Sequence, residues 1–155
     1  MRQHIGTNTR IFAALLLALL SGAARVEAAS AQVEVQAVWA NDTDKDGVPA
    51  SLERYKKVLK EMKFSSFKDK GKKTLNTAAG SKGSAAVGDY SIEIEVKSVA
   101  GAKATVAISA KESGKNSALG DPVSFTLTKG EPKQVFQLGD QKAPLVILVT
   151  LDDVK

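Results

Sequence analysis

The chain has 155 residues, no cysteine, one histidine and a formal charge of +5 at pH 7. Because His4 lies in the N-terminal leader, the rest of the chain offers no thiolate or imidazole. This excludes Ser-His and Cys-His pairs and the usual zinc and copper sites. Disulfides are excluded as well, so we expect stability to come from apolar burial and backbone pairing.

The first 31 residues have the pattern of a secretory signal peptide, in which two arginines precede an apolar run at 11–20. This run of about ten residues is too short to cross a bilayer, which takes about 20, and no later segment has the composition of a membrane span. Small residues predict cleavage after Ala31, and a similar pattern three residues earlier gives an alternative after Ala28. We therefore expect a secreted or periplasmic product whose residues 32–155 form one domain.

The first elements of this predicted domain are a strand and a helix joined by an acidic loop. Apolar residues alternate along 32–40, which predicts a strand. Turn-forming residues fill 42–47, and Pro49 then suits the first position of a helix that should reach about Met62. The apolar stripe expected to face the core consists of Leu52, Tyr55, Val58, Leu59 and Met62.

The remaining chain consists of short apolar segments separated by turns. Residues 64–68 are predicted to be extended, 70–73 to form a charged turn, and 74–87 to form two short strands. Clearer strands are predicted at 90–96, 104–110, 123–128, 134–138 and 145–151. In the segment 134–138, Val135 is out of phase with Phe136, so the pattern does not fix which face is inward. The last strand is almost wholly apolar and should be covered on both faces. Seven or eight strands with one early helix predict a mainly β fold, either an antiparallel sandwich or an open barrel.

The acidic loop matches the calcium-loop pattern D-x-[DN]-x-[DN]-G-x5-E. The matching residues are Asp42, Asp44, Asp46, Gly47 and Glu53. Their alternating carboxylates supply the hard oxygen ligands that calcium prefers, and Val48 would add its backbone carbonyl. Pro49 lacks the N–H that pairs two such loops, so the pattern predicts a solitary site. The alternative is a loop whose carboxylates cap the helix and favour its dipole.

Lysines occupy the polar side of the predicted helix, namely Lys56, Lys57, Lys60 and Lys63. They belong to a basic region at 45–82 that has eleven basic residues against four acidic ones. Glu53 is expected to pair with Lys57, four residues later. The cluster indicates either a polyanion-binding surface or a solvated helix face. Nucleic acid is not an expected ligand, because the protein is exported and its tyrosines are predicted to face the core instead of stacking on bases.

The sequence indicates no catalytic chemistry. Glu93 and Glu95 share one face of a strand, about 7 Å apart, and resemble a catalytic carboxylate pair, but outward acidic residues are usually solvated. Nucleophile elbows, phosphate loops and metalloprotease motifs are missing. We therefore expect an exported, non-enzymatic binding or structural domain of the cell envelope, with an envelope protein or a surface glycan as its partner. The alternative function is a calcium-binding module, and calcium is the one cofactor considered.

The order of elements resembles that of small exported bacterial β-domain proteins of uncharacterised function. The resemblance covers nearly the whole mature chain and is most specific at 57–67, which has the pattern K-x-L-K-x-M-x-F-S-S-F. Those proteins tend to begin the helix with Asp-Pro and to carry a Gly-Gly turn before the final strand, where this chain has Val48-Pro49 and Gly139. The resemblance implies the fold and export, and it implies no site residues.

Overall fold

Two four-stranded antiparallel sheets form the body of the protein in a computed structural model that describes residues 27–155. Most of the predicted signal peptide therefore lies outside the described residues. The strands are β1 Ser30–Asn41, β2 Ser66–Ala78, β3 Lys82–Val87, β4 Tyr90–Ala100, β5 Lys103–Glu112, β6 Val123–Thr128, β7 Lys133–Leu138 and β8 Leu145–Val154. Sheet A has the order β2-β1-β8-β7 and sheet B the order β3-β4-β5-β6. The prediction of a mainly β sandwich is confirmed.

The main core lies between the two sheets, where apolar side chains of alternating residues meet. Fully buried members from sheet A include Val33, Val35, Ile147 and Val149, and those from sheet B include Ile92, Ile94, Val106 and Ile108. The strand predicted to be covered on both faces is β8, and this prediction is confirmed. Its outward residues Val146 and Leu148 are as completely buried as its inward ones.

A helical layer covers the outward face of sheet A. It begins as a 3-10 turn, Ala50–Tyr55, and continues as α1, Lys56–Glu61. Its buried residues Leu52, Tyr55, Leu59 and Met62 form an outer core with Val38, Ala40, Phe67, Val146 and Leu148 of sheet A. The predicted helix and its apolar stripe are therefore present. Within residues 27–155, neither helical segment has the length and apolar composition that a membrane-spanning helix requires.

The start of this layer differs from the prediction in detail. Pro49 is the residue before the turn, with extended backbone at φ −68° and ψ 158°, instead of the first helical residue. Its carbonyl accepts a hydrogen bond from the Leu52 N–H at 2.9 Å, which closes a turn of three residues. The layer therefore starts in the tighter 3-10 geometry, in which residues i and i+3 lie above one another.

The charged turn predicted at 70–73 is wrong, because these residues continue β2. Gln36 pairs with Lys72 and Val38 with Asp69, so one extra residue of β2 bulges out between these pairs. Gly71 supplies the bulge with φ +101°, a conformation that glycine adopts without steric cost. Because β2 is an edge strand, its lysines reach water without any need for a turn.

A second bulge explains the phase shift in β7. Gln134 pairs with Leu148 and Phe136 pairs with Ile147, which leaves Val135 as the extra residue. Both Val135 and Phe136 pack against the core between the sheets. The out-of-phase pattern was therefore a sign of a bulge.

Candidate functional site

A buried carboxylate of β1 lies beneath the helical layer and fixes its position. Glu34 lies on the outward face of β1 with its side chain only 5% exposed. Its Oε1 accepts hydrogen bonds from the Tyr55 hydroxyl and from Arg54 Nη1, the latter at 3.2 Å. Lys72 Nζ lies 3.0 Å from Oε2, and Arg54 also contacts Asp152 at 2.5 Å. We call these five residues the Glu34 cluster.

Electrostatics keep Glu34 ionised within this cluster. Burial by itself raises the pKa of Glu34, but the Tyr55 hydroxyl and the cations of Lys72 and Arg54 outweigh that effect and hold it below the ordinary value. Burial and the neighbouring carboxylate raise the pKa of Tyr55, so its phenol stays protonated and donates. Both carboxylate oxygens have partners, so the cluster holds the helix on β1, β2 and β8.

The sequence did not reveal the Glu34 cluster. Glu34 has the appearance of an ordinary solvent-facing strand residue, because it alternates with buried valines. A signal was present farther along β1, where the outward residues Val38 and Ala40 are apolar. Apolar residues on both faces of a strand indicate a covering layer, and a carboxylate in the same row then requires partners.

The acidic loop is organised by Asn41 and not by the predicted aspartates. The buried Asn41 Oδ1 accepts hydrogen bonds from the N–H groups of Thr43 and Asp44, at 3.0 and 2.9 Å. Gly47, with φ +71°, then joins the start of β2, because its N–H donates to the Ser65 carbonyl at 3.2 Å. Its own carbonyl accepts from the Phe67 N–H at 3.1 Å. The loop is therefore pinned along the edge strand.

The predicted calcium ligands are not gathered around one point. Among residues 27–155, no group of three or more acidic or histidine side chains lies close enough to hold a metal ion. The Asp44 carboxylate lies 3.1 Å from Lys68 Nζ. The Glu53 carboxylate is 2.7 Å from Lys56 Nζ. Calcium would have to displace both lysines, and the calcium interpretation stays a prediction. The side-chain cap of the alternative interpretation is not formed, because Pro49 precedes the first turn without a side-chain cap. The favourable effect of the carboxylates on the helix dipole stays a prediction.

Three of the four predicted lysines remain available, two on α1 and Lys63 just after its end. Lys56 pairs with Glu53, and not Lys57 as predicted, because the 3-10 geometry brings residues three apart together. Lys57, Lys60 and Lys63 are exposed and form no ion pair with any residue of 27–155. We call these three residues the lysine face.

The lysines of β2 are engaged differently. The Nζ atoms of Lys68 and Lys70 lie 5.1 and 6.0 Å from the centroid of the Trp39 ring, within the range of cation–π attraction. Trp39 Nε1 donates to the Ala143 carbonyl at 3.2 Å. The ring is therefore covered by cations of its own chain, and Lys72 belongs to the Glu34 cluster.

A groove of about 730 Å³ runs between α1 and β7. Apolar and amide side chains on its two sides include Val58, Met62, Phe64, Gln134 and Gln137, and Lys63 joins them at the rim. The sequence did not predict this α1–β7 groove, because its two walls are about 70 positions apart in the chain and meet only through sheet A.

The carboxylate pair considered on β4 has separate partners. Glu93 lies 2.9 Å from Lys82 Nζ and Glu95 lies 2.5 Å from Lys97 Nζ. Lys97 and the more distant Lys82 lower the pKa of Glu95. A general acid would need a raised pKa, and the pKa of Glu95 is shifted in the opposite direction.

Comparisons with protein-family models, with curated proteins and with solved structures found no match. The resemblance to small exported bacterial proteins therefore stays a prediction. Functional proposals depend on the lysine face, the Glu34 cluster and the α1–β7 groove.

Proposed function

We propose that this protein is an exported, non-enzymatic binding domain of the cell envelope, and that the lysine face contacts a polyanionic partner. The observation that carries the proposal is that Lys57, Lys60 and Lys63 are exposed and unpaired within the described chain. Lys57 and Lys60 are three positions apart and so lie on the same side of α1. Adjacent positive charges of this kind attract polyanions more strongly at low ionic strength.

The support beneath the lysine face favours binding over mere solvation. Leu59 and Tyr55 are buried against sheet A, and the Glu34 cluster anchors the 3-10 turn. A cationic surface on a fixed support loses less conformational entropy on binding than one on a mobile segment. The backbone that carries Lys57 and Lys60 is therefore held in place before a partner binds.

The partners of the buried Glu34 carboxylate support the non-enzymatic part of the proposal. Glu34 is the most deeply buried carboxylate of the described chain. Both of its oxygens are already occupied by Tyr55, Arg54 and Lys72. A general base needs a lone pair directed at a substrate proton, whereas Oε1 of Glu34 already accepts two hydrogen bonds and Lys72 lies against Oε2.

Removing the lysine face is expected to weaken retention on heparin, a polyanionic probe. The triple variant Lys57→Gln, Lys60→Gln, Lys63→Gln should elute at clearly lower salt than the native protein, because three neighbouring charges are lost together. The measurement is the salt concentration at elution at pH 7.

The matched control removes three other exposed lysines that form no ion pair within residues 27–155. These are Lys103, Lys142 and Lys155, each replaced by glutamine. The control has the same net charge as the triple variant, and we expect it to elute close to the native protein. Equal elution of both triple variants, or passage of the native protein through the column at low salt, would contradict the proposal.

The N-terminal backbone pairing favours cleavage of the leader after Ala28. Ser30 and Lys155 exchange two hydrogen bonds of 2.9 Å, and the Ala29 carbonyl accepts from the Ala79 N–H at 2.8 Å. Ala31 is 1% exposed and belongs to the main core. Cleavage after Ala31 would remove all of these contacts.

We therefore expect the exported protein to begin at Ala29. The intact mass of protein recovered from the periplasm or the medium measures this directly. A chain that begins at Gln32 would show that the exported protein folds without the backbone pairing of residues 29–31. Thermal unfolding of chains 29–155 and 32–155 provides a control, and the shorter chain should melt at a lower temperature.

A further inference from the structure

The strand β7 leaves one edge of sheet A open. It is the last strand in the order β2-β1-β8-β7, so within residues 27–155 its backbone is paired with β8 alone. The opposite edge, β2, carries several lysines, and the pinned acidic loop pairs with its start. Although β7 has its own bulge at Val135 and begins with Lys133, only one of its edges is paired within residues 27–155. Such an edge is a template for another extended chain.

The α1–β7 groove lies beside this open edge and is suited to side chains of an added strand. Val58, Met62 and Phe64 give it an apolar wall, and the amides of Gln134 and Gln137 face that wall from β7. Alternate residues of a strand point to the same face of a sheet. A strand added beyond β7 would therefore direct every second side chain toward this outward surface.

The charged residues around the groove favour an added strand with acidic side chains. Lys63 and Lys133 line it, and Glu61 is its only acidic lining residue. The ammonium group of Lys133 donates a hydrogen bond to the Thr126 carbonyl at 2.9 Å. A second copy of this chain that paired through β7 would add a strand whose one charged residue is Lys133, so that strand would offer Lys63 no carboxylate.

We propose that the α1–β7 groove binds an extended acidic segment of a partner protein, which adds a strand to β7 and directs carboxylates toward Lys63. The inference rests on the proposed function, because it assigns the polyanion at the lysine face to an acidic polypeptide. Backbone pairing with β7 supplies affinity, and the groove with Lys63 supplies the preference for acidic sequences.

The test titrates the isotopically labelled mature protein with two peptides of eight residues and records amide chemical shifts. In one peptide glutamate alternates with valine, and in the other lysine alternates with valine. We expect the acidic peptide to shift the amides of Val58, Lys63, Gln134 and Gln137, and the basic peptide to leave them in place.

Two variants test whether the acidic peptide binds in the α1–β7 groove. Val58→Glu places a carboxylate in the groove wall and should weaken binding of the acidic peptide by about tenfold or more, through repulsion and lost apolar contact. Leu119→Glu makes the same change at a site that is 42% exposed and outside the groove, and it should leave the affinity unchanged. Equal weakening by both variants would overturn the location.

The outcomes separate this inference from the proposed function. Heparin retention through the lysine face, with no groove shifts from the acidic peptide, would overturn the inference and assign the lysine face to a surface glycan. Groove shifts from both peptides alike would overturn the preference for acidic segments. A monomer–dimer equilibrium that places β7 against β7 would overturn it in favour of a second copy of this chain.

Discussion

Leu59→Ala is expected to lower the free energy of unfolding by about 3 kcal/mol, because it removes a large side chain from a closed site. Leu59 is 0% exposed and packs in the outer core with Val38 and Leu148. The neighbouring side chains come from rigid strands, so the space left behind cannot collapse easily. Urea unfolding followed by the fluorescence of Trp39, the single tryptophan, measures the loss.

The matched control for Leu59→Ala is Lys60→Ala, one position further along α1. Lys60 is exposed, and the same replacement there should change the free energy of unfolding by less than about 0.5 kcal/mol. The comparison separates packing from helix propensity, since both variants introduce alanine into α1. Equal effects at the two positions would contradict the docking of α1 through its apolar stripe.

Glu34→Ala is expected to cost about 2 to 3 kcal/mol at pH 7, because it leaves the buried Tyr55 hydroxyl without its acceptor. Arg54 and Lys72 also lose a partner, but their side chains are 41% and 64% exposed and regain water, which limits the loss. Tyr55→Phe is the milder comparison. It removes one donor while Arg54 and Lys72 stay with the carboxylate, so about 1 kcal/mol is expected.

The pH dependence of the stability lost in Glu34→Ala shows whether Glu34 stabilises the fold through its charge or through packing alone. The pKa of Glu34 is lowered in the folded state from its ordinary value of 4.5. Its contribution to stability is therefore fully present above pH 4.5 and is lost as the pH falls through the lower folded-state pKa. The gap between native protein and Glu34→Ala should narrow in acid. A gap that is equal or wider at about pH 3 than at pH 7 would show that the charge of Glu34 does not stabilise the fold.

Local patterns were sufficient to predict most strands and the helix. Period-two alternation marks β1, β4 and β5, and the spacing of Leu52, Tyr55, Leu59 and Met62 marks the buried side of the helical layer. These predictions succeed because each depends on residues close together in the chain. The same holds for Lys57 and Lys60, whose exposure follows from the opposite side of the helical period.

Other features depend on distant contacts and could not be predicted. The lysines at 70–73 resemble a turn, but pairing with β1 extends them into an edge strand, where water reaches their side chains. The shift of the Glu53 partner from Lys57 to Lys56 follows from the 3-10 turn. Glu34, Arg54 and Asp152 come from three parts of the chain, and no local pattern links them.

Chemical-shift mapping with a heparin-derived oligosaccharide tests polyanion binding at the lysine face most directly. The structure predicts that the largest amide shifts occur at Lys57, Lys60 and Lys63, and that they are lost in the triple glutamine variant. The lysines that cover Trp39, Lys68 and Lys70, should shift less because their ammonium groups already contact the ring. Shifts centred on Lys68 and Lys70, or no shifts at low salt, would contradict the assignment of the binding surface to the lysine face.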